Sequence, residues 1–281
     1  MIKKEKVLPF IKNALEEDIQ EGDHSSLACI PNNKVGRAKL LIKENGIIAG
    51  IELAKWIFEH IDPSIKVQTH LEDGHTVKKG DIAFTVEGPS ISLLSGERLV
   101  LNCMQRMSAI ATKTGAYVKI LQGTKTTVLD TRKTTPGIRI LEKWAVRIGG
   151  GENHRFGLYD MIMLKDNHID FAGGIEQAIT KVKKYLSNKN LDLKVEIEAR
   201  NMNEVKEIMA VRGIDRIMLD NFTPEETSEA LKHIGNKYET ESSGGITINT
   251  IRAYAECGVD YISVGALTHS VKNMDLSLKA Y

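Results

Sequence analysis

The chain has 281 residues, 42% hydrophobic and 27% charged, which suits one large domain or a medium barrel with a smaller partner. Lys and Arg total 38 against 37 Asp and Glu, a net charge of +1 that excludes a general polyanion binder; any anion site must be a local constellation. Cys29, Cys103 and Cys257 are widely spaced with no CxxC, and no stretch approaches the roughly 18 apolar residues of a membrane span, so structural zinc, a disulfide framework and a membrane partner are not expected.

The opening segment MIKKEKVLPFIKNALEED is charged and helical in pattern, with no apolar core or cleavage site of a signal peptide, which points to a cytoplasmic protein. Val7, Phe10, Ile11, Ala14 and Leu15 repeat at helical spacing before EGDHSS breaks the helix. VGRAKLLIKENGIIAG alternates and turns at Asn45-Gly46, the signature of a hairpin. LEDGHTVKKGDIAFTVEG adds two short strands, and a long helix is expected from Ile91 to about Thr114, with Met104 and Met107 on its apolar positions as packing residues.

From residue 126 the rhythm becomes strand, helix, strand. The predicted strands are 126–130, 159–165, 193–199, 215–220, 238–244 and 260–265, separated by helical stretches that often end on Gly. Repeated βα units require a parallel sheet, and without a GxGxxG at the first turn the pattern favours a TIM-like βα barrel, open or incomplete, over a dinucleotide-binding sheet. The expected domains are 1–114 and a barrel over 115–270.

In such a barrel, reactive groups belong at the C-terminal ends of the strands. The first strand ends in Asp130 and leads into Arg132 and Lys133; the second ends in Lys165, followed by His168. The third carries Glu196 and Glu198 on one face, the fourth ends in Asp220-Asn221, the fifth in Ser242-Ser243-Gly244-Gly245 and the sixth in Gly265. Arg139, Arg147, His154 and Arg155 add cations nearby in sequence, with GGGENHR read as a flexible loop over a ligand. Arginine forks and lysine point charges suit a multiply anionic substrate, and Glu198 with Asp220 suits Mg²⁺ that keeps waters and substrate oxygens. The Gly-rich turns after the last two strands suit a phosphate. His24, His60, His70, His75 and His233 have no ligand spacing, and no GxSxG elbow or Cys–His pairing is present, so transition-metal chemistry and covalent hydrolysis are not supported.

The segment DTRKTTPGIRILEKWAVRIGGGENHRFGLYDMIMLKDNHI, followed in order by VEIEA, IMLDN, ESSGGI and SVGALTHS, resembles the quinolinate phosphoribosyltransferase family; GDHSS and ERLVLN upstream resemble it too. The resemblance covers nearly the whole chain. It implies an N-terminal α/β sandwich domain, residues 271–281 returning to it, and a homodimer or assembly of dimers in which Arg98 reaches the partner's site. It also implies that quinolinate and 5-phosphoribosyl 1-diphosphate (PRPP) are the substrates and Mg²⁺ the cofactor. Quinolinate would meet Arg132, His154, Arg155, Lys165 and the partner's Arg98; Lys133 would lie by the diphosphate. Glu198 and Asp220 would hold Mg²⁺ and ribose, while Ser243, Gly244, Gly245, Gly265 and His269 would take the 5′-phosphate. A nicotinate-specific or molybdenum-transport-associated relative is the nearest alternative, and a non-catalytic PRPP-binding regulator a more distant one; the two-carboxylate constellation and the retained Lys133, Glu198 and Asp220 disfavour them.

Overall fold

The computed structural model describes residues 2–281. In chain order the strands are β1 (Val35–Ile42), β2 (Gly46–Ile47), β3 (Lys66–Thr69), β4 (Thr76–Val77), β5 (Ile82–Pro89), β6 (Thr127–Leu129), β7 (Ile162–Leu164), β8 (Val195–Ala199), β9 (Arg216–Asp220), β10 (Glu239–Ser243), β11 (Tyr261–Ser263) and β12 (Leu276–Ala280). The chain divides into two compact units. The first takes residues up to Gly115, Thr134–Gly150 and Leu267–Tyr281; the second takes Ala116–Lys133 and Gly151–Ala266. Residues 134–150 thus group with the first unit rather than with the barrel to which their sequence position had assigned them.

The first unit is built on an antiparallel sheet in the order β12-β1-β5-β3. Alternation in β1 buries Ala38, Leu40 and Ile42 on one face. The helix Ile51–Ile61 buries Leu53, Ala54, Ile57 and Phe58, the spacing of one helical stripe, and Phe58 meets Phe84 of β5 edge-on at 6.4 Å. Each such large side chain contributes about 1.5–3 kcal/mol by leaving water. The C-terminal strand β12 runs antiparallel to β1, with Leu40 opposite Leu278. Met104 and Met107, on the 32-residue helix Ser90–Leu121, are fully buried within this unit and approach Gly50.

The hairpin expected at Asn45-Gly46 does not form. β2 pairs with β4, while β1 pairs with β12 and β5. Gly46 is demanded instead by a close approach: a Cβ there would lie 2.5 Å from Thr112 Oγ1, and that hydroxyl accepts the Ile47 amide at 2.8 Å. A contact 65 residues away in sequence chose this glycine.

The second unit is a six-stranded, all-parallel sheet in the order β6-β11-β10-β9-β8-β7. The strands follow chain order except that β6 joins the β11 edge, as in a barrel left open between β6 and β7. Glu152 forms one parallel bridge with Leu129 and so adds a stub at the β6 side of that opening. Val195, Ile197 and Ala199 of β8 and Ile217 and Leu219 of β9 pack against outer-helix residues such as Ile179, Val205, Ile208 and Ala230. The alternate positions, Glu196, Glu198, Met218 and Asp220, therefore face the barrel interior. The helices start where local chemistry tells them to. Asn201 accepts from the Asn203 and Glu204 amides, and Thr223 with Glu226 forms a capping box ahead of Pro224.

Candidate active site

Two layers of charged side chains fill the interior of this barrel. The deeper one joins His154, Glu196, Glu241 and Arg216. Glu196 and Glu241 are fully buried, and His154 is nearly so. His154 Nε2 lies 2.9 Å from Glu196 Oε2 and 3.5 Å from Glu241 Oε2; Arg216 Nη1 donates to Glu241 Oε2 at 2.9 Å. Arg216 also bonds Glu239 and stacks 4.0 Å over the Tyr261 ring. Burial alone would lower the His154 pKa, but hydrogen bonds and charge from Glu196 and Glu241 outweigh it and raise it to about 9. The Arg155 amide, donating to His154 Nδ1 at 2.7 Å, works against a second proton on that nitrogen. Glu196 is pushed up to about 7 by burial and by the Glu241 charge, against the pull of His154 and Arg216. Glu241 keeps its charge because hydrogen bonding and charge from His154, together with Arg216, overcome complete burial. The three ligand-type atoms of His154, Glu196 and Glu241 fall within 4.8 Å of one another, but the Arg216 guanidinium already supplies the neighbouring cation.

The second layer lies two residues further along the strands, at their C-terminal ends. Glu198, two positions after Glu196 on β8, is buried and accepts a hydrogen bond from Lys165 Nζ. Lys165 leaves β7 directly, and its amide donates to His168 Nδ1 at 3.0 Å. His168, at the third position of the helix Asp166–Ala172, thus closes a capping box with the N-cap Lys165, a structural role. Asp220, ending β9, accepts from Asn221 Nδ2 at 2.8 Å. Asn221 itself has a left-handed backbone, φ 59°, and its amide donates to Ser243 O at 2.9 Å, tying the turns after β9 and β10 together. That tie explains Gly244: a Cβ there would fall 2.2 Å from Asn221 Oδ1 and 2.8 Å from its backbone nitrogen. Gly245 follows with φ +59° and open space beside it. Two successive left-handed glycines turn the chain sharply at a strand end, the geometry by which backbone amides cradle an anion.

Arg132 and Arg155 complete this layer. Arg155 is held below the usual guanidinium range, first by burial and next by the charge of Arg132. Arg155 Nη1 donates to Met161 O, and Asp160 pins the intervening turn through the Phe156 and Gly157 amides. Lys133, one residue on from Arg132, is exposed, with its amide bonded to Thr131 Oγ1.

Several expectations need correction. Asp130 is not a rim acid: it is fully buried, and its Oδ1 accepts the His154 amide at 2.9 Å. GGGENHR is not a loose flap, because Glu152 bonds backbone-to-backbone with Val128 and Asp130, and His154 is buried. Arg147 is exposed, and Arg139 donates to Thr134 Oγ1 in the first unit. His269, also in that unit, is exposed beside Ser270, and Arg98 is exposed on the long helix. The sequence reading missed Glu241 and Arg216; the signal was available in the alternation Glu239, Glu241, Ser243, which copies that of Glu196 and Glu198. It also missed Glu142, fully buried in the first unit, whose carboxylate takes Arg106 at 2.8 Å and the Thr135 amide at 3.1 Å.

An open parallel βα barrel with cations, carboxylates and a double-glycine turn at its strand ends is the class of enzyme that binds phosphorylated, multiply anionic substrates. The N-terminal domain model of quinolinate phosphoribosyl transferase matches residues 23–108, and the C-terminal domain model matches residues 110–279. The chloroplastic nicotinate-nucleotide pyrophosphorylase [carboxylating] of Arabidopsis thaliana is 46% identical over 96% of this chain and 81% of its own. The probable enzyme of that name from Bacillus subtilis is 42% identical over 93% and 89%. The solved nicotinate-nucleotide pyrophosphorylase from Francisella tularensis superposes with a TM-score of 0.92 at 38% identity, covering 100% of this chain and 98% of its own. The chain belongs to the quinolinate phosphoribosyltransferase family.

Proposed function

We propose that the strand-end layer of the barrel carries out decarboxylating phosphoribosyl transfer, in which quinolinate and PRPP give nicotinate mononucleotide, CO₂ and diphosphate. One observation supports this reading most strongly: the charge of Arg132 lies close enough to disfavour that of Arg155, within reach of the barrel's carboxylates. Two neighbouring guanidinium forks suit the two carboxylates of a pyridine dicarboxylate. Lys165, held at Glu198, supplies a third cation for the pyridine dicarboxylate, and Arg98 of the partner subunit a fourth. Lys133, exposed beside them, takes the diphosphate. The double-glycine turn from Ser243 to Gly245, with Gly265, takes the 5′-phosphate.

The pyridine nitrogen attacks the anomeric carbon while the bond to diphosphate breaks, and the departing electron pair leaves on the diphosphate oxygen. Lys133 offsets that growing charge, and Glu198 and Asp220 offset the positive charge developing on the ribose. The carboxylate next to the now cationic ring nitrogen then leaves as CO₂. Its bonding pair stays on the ring carbon beside that nitrogen and is taken up by a proton. No protein nucleophile takes part.

Two carboxylates, one already drawing an ammonium group to itself, form a hard-oxygen donor set that fits Mg²⁺, with the rest of its shell water and substrate. When bound, Mg²⁺ neutralises charge on the diphosphate. A homodimer is part of the same proposal: Leu94 and Arg98, one turn apart on the helix Ser90–Leu121, are both exposed. No helix among the described residues is long and apolar enough to cross a membrane. A cytoplasmic location is part of the same proposal: Cys29, Cys103 and Cys257 form no disulfide, which suits a reducing compartment. The test is direct: with PRPP and Mg²⁺ present, carboxyl-labelled quinolinate should release CO₂, while nicotinate gives no product. Turnover of nicotinate in place of quinolinate would overturn the reading.

A further inference from the structure

We propose that Glu196 and Glu241 are positioning residues for the reaction, holding His154 from inside the barrel and, through its ring, setting the backbone of Arg155 at the strand ends. Neither acid lies in the strand-end layer. Both are fully buried, on β8 and β10, and both aim at one ring nitrogen of a residue that belongs to neither strand. His154 lies on the segment beside the β6 edge of the barrel opening, where the single bridge of Glu152 to Leu129 is the only strand pairing among the described residues. A segment with so little ladder support needs side-chain anchors, and it has two. Asp130 accepts the His154 amide at 2.9 Å from the β6 side, and Glu196 takes the imidazole at 2.9 Å from the β8 side. The other ring nitrogen accepts the Arg155 amide at 2.7 Å, so the direction of the ring sets the start of the Arg155 side chain.

Glu241 and Arg216 finish the device. Arg216 reaches Glu241 at 2.9 Å and is itself fixed over Tyr261 and against Glu239, so Glu241 is steered toward its contact with His154. A buried acid without such partners is strongly disfavoured, and the chain buries two of them, on strands separated by β9, around one histidine. Placement of this quality matters because a misplacement of about 1 Å in a substrate-orienting group costs roughly 100-fold in rate. The proposal rests on the assignment of Arg155 to the dicarboxylate substrate made above.

Glu241→Gln and Glu196→Gln keep the shape of each side chain. Each should raise the KM for quinolinate about tenfold while the KM for PRPP stays within about twofold. Combining Glu241→Gln with His154→Gln should add little to the effect of His154→Gln alone, because both break one chain of contacts. Amide exchange in the peptide spanning 151–157 should rise about tenfold in Glu241→Gln, with the β1–β5 sheet unchanged. Unchanged exchange in that peptide, or fully additive effects with His154→Gln, would overturn the proposal. If Glu241→Gln fails to fold, Glu196→Gln gives the same two readouts. The exchange readout needs no substrate. A wild-type protein that does not turn over quinolinate but shows the local exchange change would sink the functional reading alone.

Discussion

The two layers of charge inside the barrel use the same kinds of residue and differ by one repeat of the strand. Glu196 and Glu198 stand on the same face of β8, two residues apart. The deeper glutamate closes on His154 within a network that Arg216 and Glu241 complete. The other accepts from Lys165 and stands near Arg155, whose charge it favours and Arg132 disfavours. In the deeper layer buried acids face a histidine and an arginine at ion-pair distance, whereas the cations of the other layer stand at the strand ends, partly open to solvent. Under the proposed function, depth along the strand separates structural chemistry from catalytic chemistry.

The sharpest way to probe that difference is Glu198→Ala. It should lower Mg²⁺-dependent CO₂ release by roughly 10³-fold while the melting temperature moves little, since Lys165 is half exposed and can turn to water. Near-normal turnover in this variant would remove Glu198 from the reaction.

Next comes pH, which acts on the deeper layer. The Arg155 amide keeps a second proton off His154 Nδ1, so the group that titrates is Glu196, raised to about 7 from 4.5; the folded protein binds its proton more tightly than the unfolded chain does. A raised pKa contributes stability that is complete below the unfolded value and is lost as pH climbs through the folded one. The melting temperature should therefore fall between about pH 4.5 and pH 7, by roughly 2–4 °C for each kcal/mol of linkage. In Glu241→Gln the fall should be shallower. A melting temperature that rises across this window would contradict the charge assignment.

The smallest effect concerns the double-glycine turn. Gly244→Ala drives a Cβ into Asn221 and should weaken PRPP binding by tenfold or more, whereas Gly245→Ala meets open space and costs only about 1–2 kcal/mol of backbone strain. Equal PRPP affinities for the two variants would show that the turn does not shape the phosphate site.

Much of this was legible from residue order. The parallel barrel could be read because outward residues such as Ile197, Ile217 and Leu219 are apolar while their neighbours Glu196, Glu198 and Asp220 are not. What escaped depended on distant partners. Asn45-Gly46 carries the local chemistry of a hairpin, yet Thr112 on the long helix decides its conformation. Asp130 ends a strand like the rim acids, yet it is buried and accepts the His154 amide from 24 residues further along the chain. Residues 134–150 follow a barrel strand but group with the first unit, where Glu142 binds Arg106; a buried acid on an amphipathic helix gives no sign of its partner in advance. The strand-end cations were readable as a set, whereas the closed network beneath them appears only once β8, β9 and β10 lie side by side.

The most direct test of the division between the layers is single-turnover CO₂ release by Lys133→Ala with saturating quinolinate, PRPP and Mg²⁺, paired with its thermal melt. Lys133 is exposed and at the strand-end level, so the expected result is a rate lower by about 10²–10³-fold with an unchanged melting temperature. A wild-type rate, or a lost rate that simply follows a collapsed melting temperature, would contradict the account.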